Sequence, residues 1–123
     1  MMGNMIAVGL GGFIGAVLRY LIGLIPVNEN TLFPIKTFAI NMIGCIAIGC
    51  IAAATARNAE INPRTILCLK VGICGSFTTF STFALETTGL MHDGHTGVAF
   101  LYAVLSMVTG CAAIFGAELV VNR

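Results

Sequence analysis

Four apolar runs fill nearly all of this chain: about Asn4 to Ile25, Thr37 to Ala56, Ile66 to Met91 and Thr96 to Val121. Each supplies the roughly 20 apolar residues that a helix needs to cross a bilayer. In hydrocarbon the backbone must satisfy its own polar groups, which leaves only helices and closed barrels. The runs are continuous rather than alternating, so strands of a transmembrane barrel are not expected. The chain is 58% hydrophobic and 9% charged, where a soluble domain is about 25% charged. Its mean hydropathy is +0.99. The connections between runs are short. The expected fold is an all-α membrane protein, a single domain over residues 1–123 with four transmembrane helices in the lipid bilayer.

Composition removes several function classes. There is no basic patch, so no nucleic-acid partner is expected. The first run is too long for a cleaved signal peptide and has no basic segment before it. Gly3 lacks the Ser or Thr of a myristoylation site. The five cysteines, Cys45, Cys50, Cys68, Cys74 and Cys111, all fall inside spans without a C-x-x-C pair. They read as small packing residues rather than as disulfides or metal ligands. His92-Asp93-Gly94-His95 reads as a solvated turn. No nucleophile–base–orienter set is present, and no catalytic residues or enzyme chemistry are expected.

Residues 72–83, Gly-Ile-Cys-Gly-Ser-Phe-Thr-Thr-Phe-Ser-Thr-Phe, break the apolar pattern of the third span. Hydroxyl groups in hydrocarbon are costly unless they face a protein interior or a water-filled path. On an ideal helix, at about 100° per residue, Phe77, Phe80 and Phe83 share one arc. Thr78, Thr79, Ser81 and Thr82 fill the opposite one. One aromatic wall and one hydroxyl wall suit the passage of a small polar species.

Other spans carry polar stripes. Thr37, Asn41 and Gly44 lie at i, i+4 and i+7 on span two, one helix face. Asn41 reads equally well as an interhelical hydrogen bond or as a donor lining a pore. Tyr102, Ser106 and Thr109 repeat the spacing on span four. Singly, each hydroxyl could bond its own helix backbone. Three spans with one stripe each point to a wetted track. Glu86 follows Thr82 by one turn, and a solvated vestibule is preferred there over proton or cation binding. On span one, Gly11 and Gly15 form a G-x-x-x-G pair that admits close helix packing. Gly12 adjoins it, and Arg19 and Tyr20 end the span, where Arg can snorkel and Tyr can sit in the interface.

The charge bias across the membrane is mild. Arg57, Arg64, Lys70 and Arg123 lie on one side, Arg19 and Lys36 on the other. A four-to-two split is weak under the positive-inside rule and compatible with insertion both ways.

Three motifs resemble those of one family. Gly11-Gly12-x-x-Gly15-Ala16-x-x-Arg19-Tyr20 resembles the first signature of the fluoride channels, the Fluc or CrcB family. Thr37-x-x-x-Asn41-x-x-Gly44 with Gly49 resembles the second. Gly72-x-x-Gly75-x-x-Thr78-Thr79-Phe80-Ser81-Thr82-Phe83-x-x-Glu86 resembles the third, the most specific. Ser76 stands where the family usually has glycine, and Cys45 where it often has a small or polar residue.

The resemblance implies a passive, fluoride-selective channel in a prokaryotic cell membrane, one that lets cytoplasmic fluoride leave. It implies an interrupted third helix, an antiparallel homodimer with two pores, and a structural sodium ion at the dimer centre. Main-chain carbonyls of Gly75 and Thr78 would hold the sodium. Asn41, Phe80 and Phe83 match pore residues, and Thr79, Ser81, Thr82, Tyr102, Ser106 and Thr109 would complete the fluoride track. The competing expectation is a small proton-coupled exporter of the four-span, dual-topology type. Such exporters commonly use an acid in the first span, and none is found here.

Overall fold

The computed structural model describes residues 1–28 and 30–123. Those residues form helices α1 (Met2–Gly23), α2 (Ile35–Arg57), α3 (Pro63–Ile66), a π-helix π1 (Leu67–Cys74), α4 (Gly75–Phe77), α5 (Phe80–His92) and α6 (Thr96–Val121). There are no strands among them. Four stretches are long and apolar enough to cross a membrane: α1, α2, the composite Pro63–His92, and α6. The chain is therefore a multi-pass, all-helical membrane protein whose third span is assembled from pieces.

Local chemistry sets the ends. Span one stops at Gly23, before Pro26. The Gly23 carbonyl, left open at the helix end, accepts from Lys36 Nζ at 2.7 Å. Span three starts at Pro63 rather than at the first apolar residue, Ile66. Asn62 caps it, its Oδ1 accepting from the Arg64 N–H at 2.9 Å, and Pro63 occupies a position where its missing N–H costs nothing. The Arg57 guanidinium donates to the Val121 carbonyl, so the end of α2 caps the end of α6.

Packing divides the spans into two pairs joined by the third. The first half of span three lies on α1, while α2 lies on α6 and α5 also packs against α6. Glycines make the first pairing possible. A Cβ on Gly11 would strike the Cys68 carbonyl oxygen and lie 3.0 Å from Gly72 Cα. One on Gly15 would strike the Ile73 carbonyl oxygen. The G-x-x-x-G pair is thus spent on this chain's own third span, backbone against backbone. On the other side a Cβ on Gly49 would sit 2.9 Å from the Ile114 carbonyl.

The third span breaks at Thr78 and Thr79. Thr78 has ψ 157° and Thr79 has φ −148° and ψ 117°, both extended. An ideal helix through Phe77, Phe80 and Phe83 is therefore not what forms. Phe77 ends α4 and is buried at 8% exposure, while Phe80 opens α5 at 79%. The single aromatic arc is corrected to two environments, because two extended residues re-aim everything after them.

A candidate anion pathway at the break in span three

Extended backbone within a membrane span leaves N–H and C=O groups without helical partners, and each must find another. Asn41 on α2 supplies them for Thr79. Its Oδ1 accepts from the Thr79 N–H at 2.9 Å, and its Nδ2 donates to the Thr79 carbonyl at 3.2 Å. An Asn amide has two N–H donors, so one remains. Arg19 Nη1 donates to the Thr78 carbonyl at 3.4 Å. Thr78 Oγ1 donates to the Cys74 carbonyl at 2.8 Å. Gly44 is the third member of the α2 stripe. A Cβ there would collide with the Thr78 methyl, so glycine is what lets the break sit against α2.

The Thr79 hydroxyl organises the start of α5. It accepts from the Thr82 N–H at 3.2 Å as an N-cap. It also donates to Thr82 Oγ1 at 3.0 Å and lies 3.4 Å from Ser81 Oγ. Thr79 is buried, whereas Ser81 and Thr82 are exposed on the single subunit.

Beside the break lies a cleft of about 390 Å³, lined among others by Asn41, Thr79, Phe80, Phe83 and Ser106. Ser106 Oγ is buried with no hydrogen-bond partner among the described residues. The Phe80 and Phe83 rings are 5.8 Å apart and tilted by 44°. Phe83 lies 5.0 Å from the Tyr102 ring.

Glu86, one turn beyond Thr82 on α5, lies off the lining of the larger cleft. Its Oε1 accepts from Thr37 Oγ1 at 2.7 Å and its Oε2 from Tyr102 OH at 2.8 Å. One carboxylate thereby ties α2, α5 and α6 together. A smaller cleft of about 190 Å³ reaches it from outside, lined also by Asn28, Thr31 and Lys36. Phe33, in the first loop, covers Tyr102 edge-on at 5.2 Å.

The expected site residues divide accordingly. Asn41, Thr79, Phe80, Phe83 and Ser106 meet at the larger cleft, with Gly75 and Thr78 on its wall. Tyr102 is wholly buried and holds Glu86 instead of lining the cleft. Thr109 donates to the Leu105 carbonyl at 2.6 Å and touches Met42 Sδ at 3.1 Å. Gly11, Gly12 and Gly15 lie along the face of α1 that meets span three; a Cβ on Gly12 would come 3.2 Å from Ser76 Oγ. The link from Thr37 through Glu86 to Tyr102 escaped the sequence reading. Its signal was present, since Thr37 and Tyr102 each head a polar stripe and Glu86 lies a turn beyond Thr82.

A family model described as CrcB-like protein, Camphor Resistance (CrcB), matches residues 6–117. The chain belongs to the CrcB family. A relative from Chlorobaculum tepidum is 43% identical over 118 residues, covering 96% of this chain and 94% of its own length. One from Chlorobium phaeobacteroides is 38% identical over 116 residues, covering 94% and 91%. One from Azobacteroides pseudotrichonymphae is 35% identical over 115 residues, covering 93% and 92%. Each of these relatives is named a fluoride-specific ion channel, FluC. The CrcB match runs from within α1 through most of α6, and takes in both the break and the larger cleft.

Proposed function

We propose that this CrcB-family chain forms a passive, fluoride-selective channel. The observation that carries the reading is the Thr78–Thr79 break, which sets hydroxyls, the Asn41 amide and two phenylalanines around one cleft. Near-full-length relatives named as fluoride channels support it.

The physical requirement is severe. Moving a carboxylate-sized ion into low dielectric costs on the order of 20 kcal/mol in the Born limit, and fluoride is smaller. A hydrogen bond to a charged group returns roughly 1.5–3 kcal/mol. Donors in the cleft include the spare Asn41 N–H and the unpartnered Ser106 hydroxyl. Ring edges of Phe80 and Phe83 add partial positive charge, since the aromatic quadrupole is negative only on its faces. Dry edges also contact an anion without competing for it as water does.

A fixed cation would supply further positive potential. Thr79 gives its N–H to Asn41 rather than to the Gly75 carbonyl, as a continuous helix would. That carbonyl is freed from helical pairing, and the Thr78 carbonyl meets only the long Arg19 contact. Main-chain oxygens of this kind suit a hard cation. Gly75 and Thr78 would hold a sodium ion, whose chemistry is purely electrostatic.

The working unit is an antiparallel homodimer. Phe80, Ser81 and Thr82 are exposed on one subunit, where lipid would leave the hydroxyls costly, and the mild charge bias permits both orientations. The test is efflux from liposomes containing only this polypeptide. Fluoride should leave passively and chloride far more slowly. Equal fluxes would remove the selectivity claim, and a strict need for a proton gradient would favour an exporter.

A further inference from the structure

We propose that the smaller cleft is an entrance for small, hard anions and that Lys36 draws fluoride into it; its effect on flux rests on the channel reading above. Val27, Asn28, Thr31, Phe33, Lys36 and Glu86 are among the residues lining this cleft of about 190 Å³. Asn28 and Thr31 are exposed, so water reaches the cleft, while Lys36 and Glu86 are half-buried in its wall.

The Lys36 ammonium and the Glu86 carboxylate are the two charges among the described lining residues. The carboxylate is occupied by its neighbours, the Thr37 and Tyr102 hydroxyls at 2.7 and 2.8 Å. When ionised it only accepts, so it offers an anion no bond and repels it. Lys36 supplies the opposite field. Its Nζ donates to the Gly23 carbonyl at 2.7 Å, which anchors the charge and uses one of its three N–H donors. Two are left. A compact, strongly hydrated ammonium suits a small, strongly hydrated anion. Asn28 adds donors nearby: its Oδ1 accepts from the Asn30 N–H at 3.1 Å, and its own amide N–H groups take no part in that turn.

The cleft adjoins the candidate pathway across one ring. Phe33, in its wall, lies 5.2 Å from the Tyr102 ring. Phe83, in the wall of the larger cleft, lies 5.0 Å from the same ring. Tyr102 also holds Glu86. An anion gathered at Lys36 therefore stands one aromatic layer from the larger cleft.

The experiment separates attraction of an anion from the capping of α1 by using salt. Initial fluoride efflux per intact dimer is measured from liposomes at low and high potassium gluconate, whose anion is large. Screening reaches about 30 Å at 0.01 M and about 3 Å at 1 M. At low salt Lys36→Gln, which keeps an N–H donor without the charge, should slow efflux about threefold, and Lys36→Glu about tenfold. Lys36→Arg should keep the wild-type rate. At high salt all four proteins should converge. Melting temperatures report any loss of the helix cap. If Lys36→Gln fails to assemble, the fall of wild-type efflux with salt and its retention in Lys36→Arg carry the same test. Equal loss at both salt concentrations, no loss in Lys36→Gln, or failure of an assembled Lys36→Arg would each overturn the proposal. Bromide, located by anomalous scattering in crystals, should lie in the smaller cleft of wild type and be missing from Lys36→Gln. An empty cleft in wild type would also overturn it. If wild type passes no fluoride at any salt concentration, the channel reading fails, and bromide still decides whether this cleft binds an anion.

Discussion

Asn41 pairs both main-chain groups of Thr79, accepting from its N–H at 2.9 Å and donating to its carbonyl at 3.2 Å. A single side chain on span two thus replaces the helical bonds that span three gives up at its break. Of the two readings of Asn41, the interhelical bond is the one that forms. Two of its polar functions hold the break, one N–H is not used there, and the residue lines the cleft.

Asn41→Asp keeps one of the two bonds to Thr79 and removes every amide N–H. The carboxylate still accepts from the Thr79 N–H but cannot donate to the Thr79 carbonyl, and it sets a negative charge beside an anion route. Fluoride efflux should be lost. Asn41→Ala strips both bonds and should also destabilise the fold, by about 1–3 kcal/mol for each buried backbone group left unpaired. Efflux and thermal melting in detergent check both. Wild-type efflux from Asn41→Asp would show that no amide N–H is needed.

The phenylalanines divide by position. Phe80 is 79% exposed on one subunit and Phe77 only 8%. Phe80→Ile and Phe83→Ile should therefore lower fluoride flux sharply while the dimer survives on size exclusion, because an aliphatic side chain has no positive ring edge. Phe77→Ile should act on stability, in the range of roughly 1–3 kcal/mol, with milder effect on flux per intact dimer. A flux loss at Phe77 equal to that at Phe80 would count against the assignment.

This contrast also marks how far the sequence could be read. Continuous apolar runs predict four spanning helices because lipid admits few alternatives, and those helices form. The run of hydroxyls after Gly75 marks the place where span three changes character. Periodicity alone could not locate the new arcs, since it assumes a helix where Thr78 and Thr79 are extended. It also could not reveal that the pair Gly11 and Gly15 meets this chain's own third span, because which backbone fills a small-residue groove is a tertiary fact. Nor does spacing show that Tyr102 turns its hydroxyl to Glu86 instead of the cleft.

Glu86 and Tyr102 should behave as one unit. The carboxylate accepts from two hydroxyls, Thr37 and Tyr102. Glu86→Gln keeps one acceptor oxygen and turns the other contact into an amide N–H donating to a hydroxyl oxygen, so two charge-assisted bonds are replaced by weaker neutral ones and stability should fall by about 1 kcal/mol. Tyr102→Phe removes one donor and keeps the ring beside Phe83. Combining the two should cost less than the sum of the single changes, with a coupling of roughly 0.5–3 kcal/mol. Melting temperatures of the four proteins measure it. Strict additivity would mean that the hydrogen bond contributes nothing to stability.

Orientation provides the last prediction. Arg57, Arg64, Lys70 and Arg123 stand against Arg19 and Lys36, a bias of four to two. Several of these charges are already engaged. Arg57 reaches the Val121 carbonyl, Lys36 the Gly23 carbonyl and Arg19 the Thr78 carbonyl. Those contacts lie within one subunit and hold in either orientation, and the four-to-two bias is weak under the positive-inside rule. The chain should insert both ways and pair antiparallel. Ala59 lies exposed in the second loop, and Ala59→Cys in a background without native cysteines reports its side. Impermeant thiol reagents applied to intact and then to opened vesicles should label it in two separate populations. Labelling from one side only would sink the homodimer and require a partner chain inserted the opposite way.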